Sequence, residues 1–186
     1  MSSLESIPEP WRSFLQEIND TLEEQVRLIC MGGFVMTQLY GFSRSTVDID
    51  ALAIDPRTLA GKIQDLAAKS GPLHSKYKIY LHFVTIAAVP ENYDERLTEM
   101  YAGAFPRLRI FALDPYDLAL SKLERNIQRD RDDVFYLART IPFDLAALRE
   151  RYQSEMRYQM GVPEREDLTL QMWIDAIEEK RGQATT

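Results

Sequence analysis

From Trp11 onward the apolar residues Trp11, Phe14, Leu15, Ile18 and Leu22 recur at steps of three and four, which predicts a helix over 10–24. Val26–Met31 is apolar except for Arg27 and predicts a short buried strand. Gly32-Gly33 breaks it, and Phe34–Tyr40 predicts a two-turn helix closed by Gly41. Over Val47–Ile54 the pattern changes to alternation: Val47, Ile49 and Leu52 are apolar and Asp48 and Asp50 are not, as in a strand with one wet face. Asp55-Pro56 predicts a helix start with proline at the first helical position, running to Lys69 before Ser70-Gly71-Pro72 ends it.

Further on, Lys78–Val89 predicts a long strand, antiparallel to its neighbour and stopped by Pro90. Glu91–Met100 reads as a polar loop or short helix, and Leu108–Leu113 as the last strand. Asp114-Pro115 launches a helix carrying Leu118, Leu120, Lys122 and Leu123. Asp132–Arg139, Phe143–Met160 and Asp167–Arg181 predict helices, with Pro142 and Gly161-Val162-Pro163 at their boundaries. Strands early and helices late make an α/β (α+β) core with a C-terminal helical cap.

Composition narrows the function classes. With 186 residues, 45% hydrophobic and 27% charged, the chain is an ordinary globular one, long enough for a real core. Its apolar runs are far too short for a membrane span, and no signal-peptide pattern opens it. The single Cys30 cannot close an internal disulfide and sits in an apolar run, so a buried thiol in a reducing, cytoplasmic setting is expected. A net charge of −7 argues against the broad basic surface that grips DNA. Lys122, Arg125, Arg129 and Arg131 still leave room for a local positive groove, although Glu124 and Asp130 are interleaved with them.

Two positions carry the chemistry. Asp48 and Asp50 alternate with Ile49 on a strand, so their side chains share one face, with Cα atoms about 7 Å apart. Carboxylates so placed suit a hard cation such as Mg²⁺, which keeps its other positions for water and phosphate oxygens. Gly32-Gly33 ends a strand and opens a helix; without Cβ atoms it lets a phosphate approach the backbone. A polar turn with Arg44 and Thr46 lies between the two, and Arg44, just before the carboxylate strand, reads as a substrate contact or a surface turn residue.

The run from Met31 to Asp50, Met-Gly-Gly-Phe-Val-Met-Thr-Gln-Leu-Tyr-Gly-Phe-Ser-Arg-Ser-Thr-Val-Asp-Ile-Asp, resembles the core motif of the DNA polymerase β-like nucleotidyltransferase superfamily. It looks similar to small bacterial members related to the abortive-infection toxins of type IV toxin–antitoxin systems, in which Gly-Gly or Gly-Ser precedes an Arg-x-Thr-x-Asp-x-Asp strand. Asp117 to Lys122 followed by Arg129-Asp130-Arg-Asp-Asp133 is similar to their second block. The resemblance covers roughly residues 26–140. It implies a mixed sheet of about four to five strands flanked by helices. The core then spans residues 1–140, with a helical extension over 141–186 packed on it.

The resemblance further implies Mg²⁺ on Asp48 and Asp50, an NTP with its triphosphate at Gly32-Gly33, and Lys122 assisting with phosphate charge. It extends to an RNA or protein acceptor and an antitoxin partner. Lys122 is otherwise a solvated helix residue. Asp130 and Asp133 either support the site or pair with Arg125 and Arg129, and Asp133 fits the structural role better. Active members place a third carboxylate on a later strand, as base or metal ligand. The matching strand here, Ile79-Tyr-Leu-His-Phe-Val-Thr-Ile, holds no acid, and His82 takes that place as a neutral base or ligand, or as a structural residue. On the alternation, Tyr80, His82 and Val84 should face the site, and Leu81 and Phe83 the core. Three functions follow: nucleotide transfer from an NTP, a catalytically weak nucleotide-binding or regulatory protein that kept the fold without the third acid, or a structural partner-binding domain whose helical tail docks another chain.

Overall fold

The computed structural model describes residues 4–184, which form a five-stranded mixed sheet flanked by helices and a long C-terminal helix. They divide into two compact units: residues 1–86 with 97–113, and residues 87–96 with 114–186, the terminal residues outside 4–184 being undescribed. No helix of the described residues is long and apolar enough to cross a membrane.

In the first unit α1 (Trp11–Thr21) is followed by β1 (Val26–Met31), α2 (Gly32–Gln38) and β2 (Asp48–Asp55). Next come α3 (Ala60–Ala67), α4 (Pro72–Tyr77), β3 (Tyr80–Phe83), β4 (Thr98–Met100) and β5 (Leu108–Ala112). The strand order is β3-β2-β1-β5-β4. β1 pairs antiparallel with β2 and parallel with β5, β2 pairs parallel with β3, and β4 pairs antiparallel with β5.

One face of the sheet is core. Leu28, Cys30, Ile49, Ala51, Leu81, Ile110 and Ala112 are buried, as are Phe14, Leu15 and Ile18 of α1 and Ile63 and Ala67 of α3. The Trp11 ring meets Phe34 of α2 edge-on at 5.0 Å. Buried Asn19 closes the end of this layer, its side-chain oxygen accepting from the Arg107 amide at 2.9 Å. The opposite face carries Arg27, Asp48, Asp50, Asp55 and Arg109 at register positions that share it. The β1–β2 register slips between Ile29 and Cys30, which leaves Leu52 as the extra residue of a bulge. That slip puts Asp50 and Asp55 on one face although they are an odd number of residues apart.

Three local expectations change. The strand expected over Lys78–Val89 is only Tyr80–Phe83, and it runs parallel to β2 rather than antiparallel. The reason is α4: Pro72 does not merely end the preceding helix but opens a new one, with Pro at its first turn and Lys78 in the left-handed region (φ 62°) at its end. This short helix turns the chain round before β3. Pro56 stays extended (φ −74°, ψ 141°), so a 3-10 turn at Arg57–Leu59 precedes α3. The segment expected as loop or short helix holds a 3-10 turn, Tyr93–Arg96, and the edge strand β4.

The second unit comprises α5 (Pro115–Leu120), α6 (Gln128–Thr140), α7 (Leu145–Arg151) and α8 (Pro163–Ala184), with a π turn at Tyr152–Met156 after α7. Asp114 caps α5 as its sequence indicates, accepting from the Asp117 amide at 2.7 Å. Arg96 ties residues 87–96 to these helices. It bonds Asp117 through Nε and Nη2, each at 3.1 Å, and Glu155 through Nη2 at 2.8 Å. Arg151 adds bonds to Asp114 and Asp117 at 2.7 and 3.0 Å. Burial raises the Asp117 carboxyl, and the two guanidiniums work against that rise.

Candidate functional site

β2 and its two neighbours gather the sequence-predicted carboxylates. Asp50 is level with Met31 of β1 on one side and with His82 of β3 on the other, and Asp48 is level with Tyr80. The two carboxylates therefore stand between the start of α2 and the edge strand.

On the β1 side, Gly32 has φ +71°, a conformation open to glycine and strained for other residues. A Cβ placed there would overlap Asp50 Oδ2 and lie 3.1 Å from its Cγ. Gly32 is thus required by the close approach of Asp50, in addition to its turn. Gly33 follows, buried, in the first turn of α2.

On the β3 side, His82 Nδ1 lies 3.0 Å from Asp50 Oδ1, with the His82 side chain 58% and the Asp50 side chain 28% exposed. When Nδ1 carries the proton it donates to the carboxylate, and Nε2 is left with a lone pair on the accessible side of the ring. The expected alternation holds for Leu81, which is buried, and for His82, which is exposed beside Asp50. Asp48 is held differently. Thr46 Oγ1 donates to its Oδ1 at 3.1 Å, and the Tyr80 hydroxyl stands 3.5 Å from Oδ2. Burial, and then the charge of Asp48, push the Tyr80 phenol up, so it stays protonated and can only donate towards that carboxylate. Beneath the pair, burial and the Asp50 charge raise the Cys30 thiol, a free cysteine that is buried as expected.

Both carboxylates are partly exposed, are hard oxygen donors and share one face, which fits a cation bound by two carboxylates with substrate oxygens completing its shell. Among the described residues no group of three or more His, Cys, Asp or Glu side chains is disposed to hold a metal by itself.

A cavity of about 740 Å³ adjoins the site within the first unit. Asp48, Tyr80 and His82 line it on one side, and Gln64 of α3 with Lys69 and Ser70 just beyond that helix on the other. Lys69 Nζ lies 5.6 Å from the centre of the Tyr80 ring. Tyr80 stands on the site side, as its alternation with His82 indicates. Lys69 and Ser70 carry no such signal, because they reach the site only through the parallel return of β3.

The remaining predicted residues have other surroundings. Arg44, in the turn before β2, has its guanidinium 5.5 Å from the centre of the Phe42 ring. Lys122 and Asp130 belong to the second unit. There Lys122 Nζ is paired with Asp133 Oδ2 at 2.7 Å, with both side chains buried. Asp130 is buried at the start of α6, where it takes two bonds from Arg125, at 2.8 and 2.6 Å, and one from the Ile127 amide at 3.2 Å. Asp133 is thus buried and paired with Lys122.

Comparison with known families matches residues 4–181 to the family described as nucleotidyltransferase of unknown function (DUF6036). The chain belongs to this nucleotidyltransferase family. Comparisons with curated proteins and with solved structures find no match. In this family member, the strand–Gly-Gly–helix–strand order places the carboxylate pair between a glycine backbone and an Asp–His contact.

Proposed function

We propose that the first unit carries a DNA polymerase β-like site that moves a nucleotide from an NTP to a hydroxyl acceptor, an RNA or a protein. The observation that carries this reading is the position of Asp48 and Asp50 on one face of β2, with Gly32 against one side and His82 against the other. Bound Mg²⁺ would neutralise triphosphate charge and polarise the α-phosphate. Asp48 and Asp50 would hold that ion, with Thr46 fixing Asp48 and His82 fixing Asp50. Gly32 and Gly33 admit the triphosphate oxygens to the backbone, and Arg44 supplies a cation beside them. The acceptor oxygen attacks the α-phosphorus, a new O–P bond forms, the bond to the β-phosphate oxygen breaks, and pyrophosphate leaves. The acceptor proton passes to His82 Nε2, while Asp50 holds Nδ1. Lys122 and Asp130 are committed to ion pairs, and the reaction as drawn needs neither.

The absence of an acid on β3 favours a second reading, a nucleotide-binding regulator with slow or no transfer. A kinship with toxin nucleotidyltransferases, with an antitoxin as partner, is compatible with both. Incubation with Mg²⁺ and NTPs labelled at the α- or the γ-phosphate, with total RNA or lysate protein as acceptor, separates them. Transfer predicts macromolecular label from the α-position alone, lost with EDTA and in Asp48→Asn/Asp50→Asn. Mg²⁺-dependent NTP binding without label supports the regulator. A double variant that binds Mg²⁺-NTP as tightly as wild type removes the metal assignment.

A further inference from the structure

We propose that the acceptor is a polypeptide segment, bound in extended form along the outer edge of β3 with a hydroxyl side chain level with His82. The inference rests on the transfer reading for its chemistry, though not for the binding it describes.

β3 ends the sheet, with β2 on its inner side. The Tyr80 and Val84 amides donate inward, to Val47 and Ala51 oxygens at 3.0 and 2.9 Å. By alternation the backbone groups of Leu81 and Phe83 therefore point outward. The cavity is lined by Tyr80, Leu81, His82 and Phe83 in unbroken succession. Residues of both faces line it, so it follows the edge of the strand and not one face. Its far wall, Gln64, Lys69 and Ser70, leaves a slot beside an unpaired strand edge.

An added strand would lie about 4.8 Å from β3 and meet the outward groups at the repeat of two residues, about 6.6 Å, that a polypeptide shares with them. A residue of that strand level with His82 puts its side chain on the face that carries Asp48 and Asp50. A nucleic acid fits this slot less well. Asp48 lines it, Lys69 is its single Lys or Arg, and the chain carries a net charge of −7. Nothing in a phosphodiester backbone matches alternating N–H and C=O groups, whereas strand addition uses both.

The test uses the full chain and a library of ten-residue peptides with a fixed central Ser, Thr or Tyr. Phe83→Pro removes an outward amide and spares the inward ladder, a substitution that edge strands tolerate. Gln64→Trp fills the slot from the opposite wall without touching the strand, and the fold of both variants is checked by circular dichroism. Wild type should retain peptides with preferences at alternate positions, retention should fall roughly tenfold or more in either variant, and bound peptide should slow hydrogen exchange at the Leu81 and Phe83 amides. Equal retention by the folded variants, or retention that leaves those amides unprotected, overturns the proposal, as does no retention at all. Transfer of α-label to total RNA and not to the retained peptides also overturns it and leaves the transferase standing. Peptide held on the edge with no label transferred supports the edge site and counts against the transferase.

Discussion

His82 stands directly across the β2–β3 ladder from Asp50, and its Nδ1 is 3.0 Å from the carboxylate Oδ1. The pair sets an imidazole against the carboxylate from the neighbouring edge strand. A neutral imidazole can take a proton but brings no negative charge to a second cation.

His82→Ala is therefore expected to lower transfer by about 10²–10⁴-fold while Mg²⁺-NTP binding persists, measured by α-label incorporation beside calorimetry. His82→Asp would set a second carboxylate against Asp50. Without metal that repulsion should lower the melting temperature. Mg²⁺ should then raise it more than in wild type, and transfer should increase. If His82→Ala leaves a measurable activity untouched, the residue is structural.

Gly32→Ala tests the other side of Asp50. A left-handed backbone at a non-glycine residue costs about 1–3 kcal/mol, and the added methyl collides with Asp50 Oδ2. Urea unfolding should show a loss beyond the backbone cost, and part of it should return in Gly32→Ala/Asp50→Ala, where the colliding carboxylate is gone. The single variant should also lose the Mg²⁺ dependence of NTP binding. Equal stability losses in the single and double variants would mean that the methyl and the carboxylate do not meet.

The sequence carries this side of the site openly. The apolar run Val26–Met31, the glycine break and the alternation of Asp48 and Asp50 are local signals, each set by nearest neighbours, and β1, α2 and β2 follow them closely. The β3 side is less open. α4 has one buried residue, Leu73, and a single apolar position sets no period, so the helix that reverses the chain leaves no trace in the pattern. Without it, β3 reads as antiparallel and the slot beside Lys69 is invisible. Leu52 breaks the alternation of β2, and only the partner strand shows that a bulge absorbs it. The Lys122–Asp133 pair joins two residues eleven apart across a turn, and within one helix that spacing would hold them about 16 Å apart, so nothing local announces the contact.

Acid should destabilise the second unit through Asp130. Burial alone would raise this carboxyl, but the Arg125 guanidinium, with the Lys122 charge behind it, holds it below its ordinary value of 3.8. A lowered folded pKa means stability that is present above the unfolded value and lost as pH falls through the folded one. The loss should therefore begin below about pH 4. Arg125→Met leaves the carboxyl to its burial, which works to raise its folded pKa, so urea midpoints followed from about pH 3 to 7 should lose the acid-induced fall seen in wild type, the variant being weakened most at neutral pH. Superimposable profiles would show that Arg125 does not govern Asp130.

The Lys122–Asp133 pair decides between two roles for the lysine. Its Nζ lies 2.7 Å from Asp133 Oδ2, with the side chains 5% and 1% exposed, so both charges have left water for each other. Removing either partner leaves a buried charge without this pairing, and Lys122→Met or Asp133→Leu alone should cost about 3–5 kcal/mol in urea unfolding. Removing both takes the desolvation penalty away with the attraction, so Lys122→Met/Asp133→Leu should recover most of that loss. The double variant then allows a clean binding measurement, because its fold no longer depends on the lysine. If the charge of Lys122 is spent on Asp133, Mg²⁺-NTP should bind the double variant as it binds wild type. A folded double variant that has lost tenfold or more in NTP affinity, roughly the worth of one charged contact, would return Lys122 to the phosphate.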